Sequence, residues 1–161
     1  MNIWSILTYD DTGQYFNLIT PLIKASDYAL NGIFYLNSSN VSSADSTFTN
    51  LITFISPSFV TGSNNILQYL YTNLSETYEL SLTLIFFSVY RESSLTLNVA
   101  NVKSALQHIV SLRSILISKQ KSFVTSYSSG QAVNTGWLNA DNIIAFRETA
   151  LAIIALGTFH F

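Results

Sequence analysis

Apolar and polar residues alternate over one long stretch in the middle of the chain. Every second position from Tyr78 to Phe86 is apolar, and polar residues such as Glu79 and Thr83 lie between them. A period of two is typical of a β-strand with one buried and one polar face. The pattern predicts a strand from Tyr78 to Tyr90 whose buried side includes Leu80, Leu82, Leu84 and Phe86.

Beyond this stretch the hydrophobic period becomes that of a helix. Apolar residues recur every three or four positions, and polar residues such as Lys103 and Gln107 lie opposite them. We predict a helix from Asn98 to Ser118 that packs on the strand, with His108 facing solvent. Its apolar stripe consists of Val99, Val102, Leu106, Ile109, Val110 and Leu116.

The N-terminal part of the chain carries weaker patterns. Helical spacing predicts a helix from about Gln14 to Leu30, in which Pro21 is either the first helical position or a kink. Asn31 and Gly32 would end this helix, and the apolar run from Ile33 to Leu36 predicts a short strand. Ser-rich and Asn-rich segments at 37–46 and 126–136 predict two exposed loops.

The last segment, from Asn139 to Phe161, fits two structures. Asn139 or Asp141 could cap a helix that ends at Gly157. The β-branched and aromatic residues near the end favour a strand from about Thr149 onward, and we expect the strand. The elements together predict one α+β domain over residues 1–161. It contains a mostly antiparallel sheet, one long helix packed on a face, and a helix near the N-terminus.

The low charge content is the feature of the composition that bears most on function. Charged residues make up 10% of the chain and the net charge is −2, whereas an ordinary soluble domain has about 25% charged residues. A surface of neutral hydroxyls and amides opposes self-association weakly, which favours an assembly subunit over a monomer. The most apolar stretches, Leu80 to Tyr90 and Leu151 to Phe161, are shorter than the about 20 residues of a membrane span, so we expect a soluble protein.

Neither nucleic-acid binding nor catalysis is indicated. The seven basic residues are scattered rather than clustered, as phosphate binding would require. His108 and His160 have no second ligand at metal spacing, cysteine is absent, and no G-x-S-x-G elbow occurs. We expect no enzyme activity, no cofactor and no metal.

Two charged pairs and one tryptophan are the candidate contact residues. Arg91-Glu92 and Arg147-Glu148 are either solvated surface pairs or part of subunit contacts, where Arg is enriched. Trp137 is either a core anchor or an interface hot spot.

The second half of the chain also resembles a known family. The order YELSLTLIFFSVYRESS, VANVKSALQHIVSLRSIL and ALAIIALGTFHF is similar to the strand, helix and closing strand of tail-terminator or tail-completion proteins of tailed bacteriophages. The resemblance covers roughly Tyr78 to Phe161 and is one of pattern. It implies a ring, usually of six subunits, that joins the tail tube to the neck of a virion assembled in the host cytoplasm. Other tail or neck proteins would be its partners.

Two other functions fit the sequence. A helical-bundle coat subunit of a viral or extracellular filament would require Tyr78 to Tyr90 and the C-terminal segment to be helices within an all-α bundle. A small-ligand binding module would need an apolar pocket built from the many Tyr and Phe residues.

Overall fold

Five helices and three two-stranded hairpins make up the computed structural model, which describes residues 6–9, 15–19, 22–61 and 67–158. The helices are α1 (Ala25–Asn37), α2 (Val41–Ile55), α3 (Thr77–Glu92), α4 (Val99–Ser118) and α5 (Phe146–Thr158). The hairpins are β1–β2 (Ile6–Tyr9, Tyr15–Ile19), β3–β4 (Ser58–Thr61, Leu67–Leu70) and β5–β6 (Lys121–Tyr127, Gly130–Gly136).

The α+β class predicted from the sequence is confirmed, as are the long helix and a helix near the N-terminus. All three strand pairs of the described residues are antiparallel. These strands form three separate hairpins rather than one sheet, and the core lies between helices. Helix α3 is at its centre and packs against α1, α4 and α5.

The predicted strand from Tyr78 to Tyr90 is wrong, because this segment is α3. Neighbouring helices bury most of its circumference, including the small polar residues Ser81 and Thr83 between the leucines. The alternation therefore does not mark a wet and a dry face. The predicted burial of the four apolar residues does hold: Leu80, Leu82, Leu84 and Phe86 are all inside.

Glu79 connects α3 to the beginning of α1. Its carboxylate accepts hydrogen bonds from the Ser26 backbone N–H, with an N···O distance of 2.6 Å, and from the Ser26 hydroxyl at 3.0 Å. The first N–H groups of a helix have no partner within their own helix, and a negative charge is favourable at that end. A buried carboxylate of α3 thus caps α1.

Helix α4 lies where the sequence predicted it, but it turns a different face to the core. Asn98 caps it by accepting hydrogen bonds from the backbone N–H groups of Ala100 (2.9 Å) and Asn101 (3.2 Å). Of the predicted stripe, Ile109 and Leu116 are buried, whereas Leu106 and Val110 are exposed. The buried face comprises Ala105, His108, Ile109, Ser111, Leu112 and Leu116.

Most predictions for the N-terminal part of the chain are wrong. Residues 15–19 form β2, and α1 begins at Ala25 and continues past Gly32 through the predicted strand at 33–36. Pro21 lies outside the described residues. The predicted loop at 37–46 contains the start of α2, where Asn40 accepts a hydrogen bond from the Ser43 N–H at 3.2 Å. Ser and Asn therefore signal a helix cap here rather than a loop.

The C-terminal strand prediction is also wrong. Residues 146–158 form α5, and the alternative of a helix ending near Gly157 is the correct one. Asn139 does not cap this helix; its side chain accepts from the N–H groups of Asp141 (2.9 Å) and Ile143 (3.1 Å) in the preceding turn. The predicted loop at 126–136 contains the end of β5, a turn and β6.

Candidate interaction surfaces

Helix α5 places small residues inside and large apolar residues outside. Its buried residues are Glu148, Ala152 and Ala155. Phe146, by contrast, is 90% exposed, and Ile153 and Ile154 are more than half exposed. A surface helix of a monomeric protein normally shows the reverse arrangement. The outer side of α5 is therefore an unpartnered apolar surface within the described part of the chain.

Helix α1 repeats this arrangement on another side of α3. It buries Ala25, Ser26, Ala29, Gly32 and Leu36, and Phe34 is 64% exposed with Leu30 also exposed. At Gly32 a Cβ atom would lie 2.3 Å from ring carbons of Phe86, so α1 approaches α3 as closely as backbone permits. Small residues give this close packing, Leu36 is the one large apolar residue of α1 that is fully inside, and Leu30 and Phe34 are left outside.

A third apolar surface lies on α4. Val99, Leu106, Val110 and Ile117 follow one another at spacings of seven, four and seven residues, and all four are exposed. Such spacing places them along one side of a helix. Because α4 has an apolar buried face as well, it carries more apolar positions than its own core contact uses.

Hairpin β5–β6 projects from the helices. Its exposed large residues are Phe123, Val124, Tyr127 and Val133, which occupy both faces of the hairpin. Neither strand packs broadly against any helix in the described ranges. The base of the hairpin is fixed by Trp137, whose indole N–H donates to the Leu116 carbonyl at 2.7 Å. Trp137 is 4% exposed, so of its two interpretations the structure favours the core anchor.

The predicted charged pairs lie at opposite ends of α3. Arg147 donates to Glu148 and its guanidinium carbon lies 4.5 Å from the centre of the Tyr78 ring, near the beginning of α3. The hydrogen bond to Glu148 raises the pKa of Arg147. Arg91 and Glu92 pair at 3.9 Å at the other end. The two pairs are separated by roughly 20 Å along the helix and do not form one site.

Glu148 is buried within its own chain, whereas Arg147, Arg91 and Glu92 are partly or well exposed. The location of these three residues at subunit contacts stays a prediction.

The apolar surfaces on α1 and α5 were missed by sequence reasoning. The signal was present in the sequence, because small residues recur at 25, 29 and 32 and again at 152 and 155.

His108 lies in a buried aromatic cluster where hairpin β3–β4 docks on α4, so its predicted solvent exposure is wrong. Its Nδ1 atom is 2.9 Å from the Tyr71 hydroxyl, and its ring centre is 4.4 Å from that of Tyr69. Burial lowers the pKa of His108 to about 4 and raises that of Tyr71. A neutral, enclosed imidazole bonded to a neutral phenol suits anchoring of the hairpin more than proton transfer.

A cleft of about 410 Å³ lies between the first turns of α3 and α5. Charged and polar side chains dominate its lining, including Glu76, Lys119, Lys121 and Arg147. This is not the apolar pocket that a small-ligand module built from Tyr and Phe requires. Among the described residues there is no group of three potential metal ligands, and none of their helices is long and apolar enough to cross a bilayer.

No known family model, curated protein or solved structure matches this chain.

Proposed function

We propose that the chain is a structural subunit that assembles with copies of itself. The observation that supports this most is the arrangement of α1 and α5, whose buried positions are mostly small residues and which expose several large apolar ones. Contiguous exposed apolar surfaces mark contact sites in soluble proteins. The low charge content agrees, because few charges would have to be desolvated at such contacts.

The energetics favour several contacts acting together. Ile153 and Ile154 are already partly covered and Phe146 is 90% exposed, so complete burial contributes on average roughly 1–2 kcal/mol for each of these side chains. Six such side chains, three from each of two copies, contribute roughly 6–12 kcal/mol. Association costs roughly 4–15 kcal/mol in lost freedom. One surface alone is therefore marginal, and a subunit that uses the surfaces on α1, α4 and α5 together gains a stable assembly.

A helical-bundle coat subunit of a filament is the form of this proposal that the fold supports better. That alternative requires residues 78–90 and the C-terminal segment to be helices within an all-α bundle; both segments are helical, and three hairpins accompany the five helices. A ring-forming tail terminator or neck subunit of a virion is the other form. The resemblance to that family included strands at residues 78–90 and at the C-terminus, and both segments are helices. Only α4 and the order of the segments still support this form. Absence of the chain from purified virions would eliminate the virion form.

The self-assembly proposal is tested by placing charge on the outer side of α5. Ile153→Lys with Ile154→Lys adds two charges at exposed positions, which changes monomer stability by no more than about 0.5 kcal/mol at each. We expect light scattering to show an assembly for the unaltered chain and a monomer for this variant, whose helical circular-dichroism spectrum is unchanged.

Ser46→Lys with Asn50→Lys is the matched control, since it adds the same charge to exposed polar positions of α2. We expect this control to assemble normally. If the Ile153→Lys, Ile154→Lys variant assembles as well as the control, the outer side of α5 is not a subunit contact.

A further inference from the structure

Hairpin β5–β6 is a two-stranded sheet with two open edges. The strands pair antiparallel from Lys121 opposite Gly136 to Tyr127 opposite Gly130, and a two-residue turn joins them. Seven residues per strand give the hairpin a length of roughly 24 Å. In an antiparallel pair, backbone groups of alternate residues point away from the partner strand. No strand of the described residues pairs with either outer edge, so among these residues each edge presents unpaired N–H and C=O groups.

These edges lack the features that normally prevent edge-to-edge pairing. Natural proteins protect open edges with charged side chains, proline, bulges or a covering segment. From 122 to 136 the chain contains no charged residue and no proline, and its pairing register is regular. Lys121, at the base, is the one charge of the hairpin.

The hairpin also lacks the support that the β3–β4 hairpin has. Tyr69 and Tyr71 attach β3–β4 to His108 of α4, whereas β5–β6 is held at its base by Trp137. An isolated two-stranded hairpin is marginally stable in water, and three or more strands or a packed helix are needed. Both faces of β5–β6 carry exposed apolar residues. Additional strands paired with the hairpin would supply the support that it lacks.

We propose that β5 pairs antiparallel with β5 of a second copy of this chain, giving a four-stranded sheet in the order β6, β5, β5, β6. This inference rests on the proposed function, since it names one contact within the self-assembled protein. The edge of β5 is favoured over that of β6 by composition. Phe123, Val124, Thr125 and Tyr127 are strong strand formers, whereas β6 begins and ends with glycine and contains Gln131 and Asn134.

A two-fold axis at Val124, the middle residue of β5, makes the pairing self-complementary. Val124 then lies opposite its own copy, and Lys121 lies opposite Tyr127 of the other chain. The two Lys121 ammonium groups are separated by about six residues, or roughly 20 Å, so they do not repel each other strongly. A symmetric contact of this kind is the commonest in homo-oligomers.

The absence of cysteine from the chain gives a clean cross-linking test. Val124→Cys places one thiol at the two-fold axis, and Val133→Cys places one directly across the hairpin on β6. The two positions are similarly exposed. In the proposed sheet the Val124 positions of two copies are one strand spacing apart, about 5 Å, and the Val133 positions are three spacings apart, about 14 Å. A bis-maleimide that spans the shorter distance but not the longer one distinguishes them.

We expect most of the Val124→Cys chain to become covalent dimer and the Val133→Cys chain to remain monomeric on a denaturing gel. Loss of assembly in Val124→Cys alone would also support the β5 contact. Equal or greater cross-linking of Val133→Cys would overturn it. Absence of Val124→Cys dimer while that variant still assembles would overturn it too, and would leave the self-assembly proposal intact. A monomeric unaltered chain with no cross-link would refute both proposals.

Discussion

Replacing Gly32 by alanine tests the close contact between α1 and α3. An added Cβ would lie 2.3 Å from Cε2 and Cζ of Phe86 and 2.8 Å from Cδ2. Carbon atoms in contact prefer 3.5–4.0 Å, so the ring or the helix has to move by more than about 1 Å. Phe86 is fully buried and packs near the rings of Phe48 and Tyr90, which leaves its ring little space.

The magnitude follows from two opposing contributions. Overpacking of a core typically costs about 1–3 kcal/mol. Alanine in place of glycine in a helix interior gains about 1 kcal/mol. The balance is a net loss of roughly 0–2 kcal/mol. Because the Phe86 ring has little space, we expect the upper half of that range, roughly 1–2 kcal/mol of unfolding free energy or roughly 2–8 °C in melting temperature for a chain of this size.

Urea unfolding followed by circular dichroism, at one fixed protein concentration, measures this change. Gly157→Ala in α5 is the matched control, because a Cβ there meets no atom within 4 Å. We expect this control to be as stable as the unaltered chain or up to about 1 kcal/mol more stable. If Gly32→Ala matches the control, the close packing of α1 on α3 is incorrect.

Three further predictions concern buried polar groups, a core leucine and surface charge. Burial lowers the pKa of His108 to about 4 in the folded protein, whereas its ordinary value is about 6.5. Well above pH 6.5 this histidine is neutral in the folded and in the unfolded chain. As the pH falls from 6.5 toward 4, it is protonated in the unfolded chain first, which favours unfolding. Stability should decrease over that window by up to about 3 kcal/mol, and His108→Gln should remove this decrease in pH-dependent urea titrations. Glu79→Ala removes the carboxylate that caps α1 and should lower the unfolding free energy by about 2 kcal/mol, and Glu79→Gln should lower it less. Leu82→Asp places a carboxylate in the core and should prevent folding, as judged by circular dichroism. Arg147→Ala should lower the melting temperature by leaving the buried Glu148 unpaired. Arg91→Ala should weaken assembly in light scattering, and normal assembly of that variant would make Arg91 a surface residue outside any subunit contact.

The sequence identified burial better than it identified secondary structure. In α3 the alternation of leucines with small polar residues matched a strand, and the leucines are indeed inside. The polar positions are inside as well, because the helix is surrounded and short hydroxyl side chains fit where helices come close. The hydroxyls of Ser81 and Thr83 have no hydrogen-bond partner among the described residues. Period analysis assumes a polar face in contact with solvent, whereas the least buried side of α3 carries Tyr78, Ile85 and Val89.

Helix α4 shows a second limit. Its length and its Asn98 cap follow from the sequence, but its buried face does not, since Leu106 and Val110 are as apolar as Leu112 and Leu116. Which face packs inward depends on α3 and on the docking of β3–β4 through His108. In α5 the alanines, rather than the larger Ile153 and Ile154, make the core contact. The candidate surface was missed for this reason, because hydrophobic size was taken as a measure of burial.

The central claim is that the large residues on the outside of α1 and α5 are covered by other copies of the chain. An electron-microscopy map of the assembled protein tests it most directly. We expect Phe146 and Ile153, with Phe34 of α1, to lie within about 4.5 Å of apolar atoms of neighbouring subunits. A map in which these side chains face solvent, or a chain that stays monomeric at hundreds of micromolar so that no assembly forms, would contradict it.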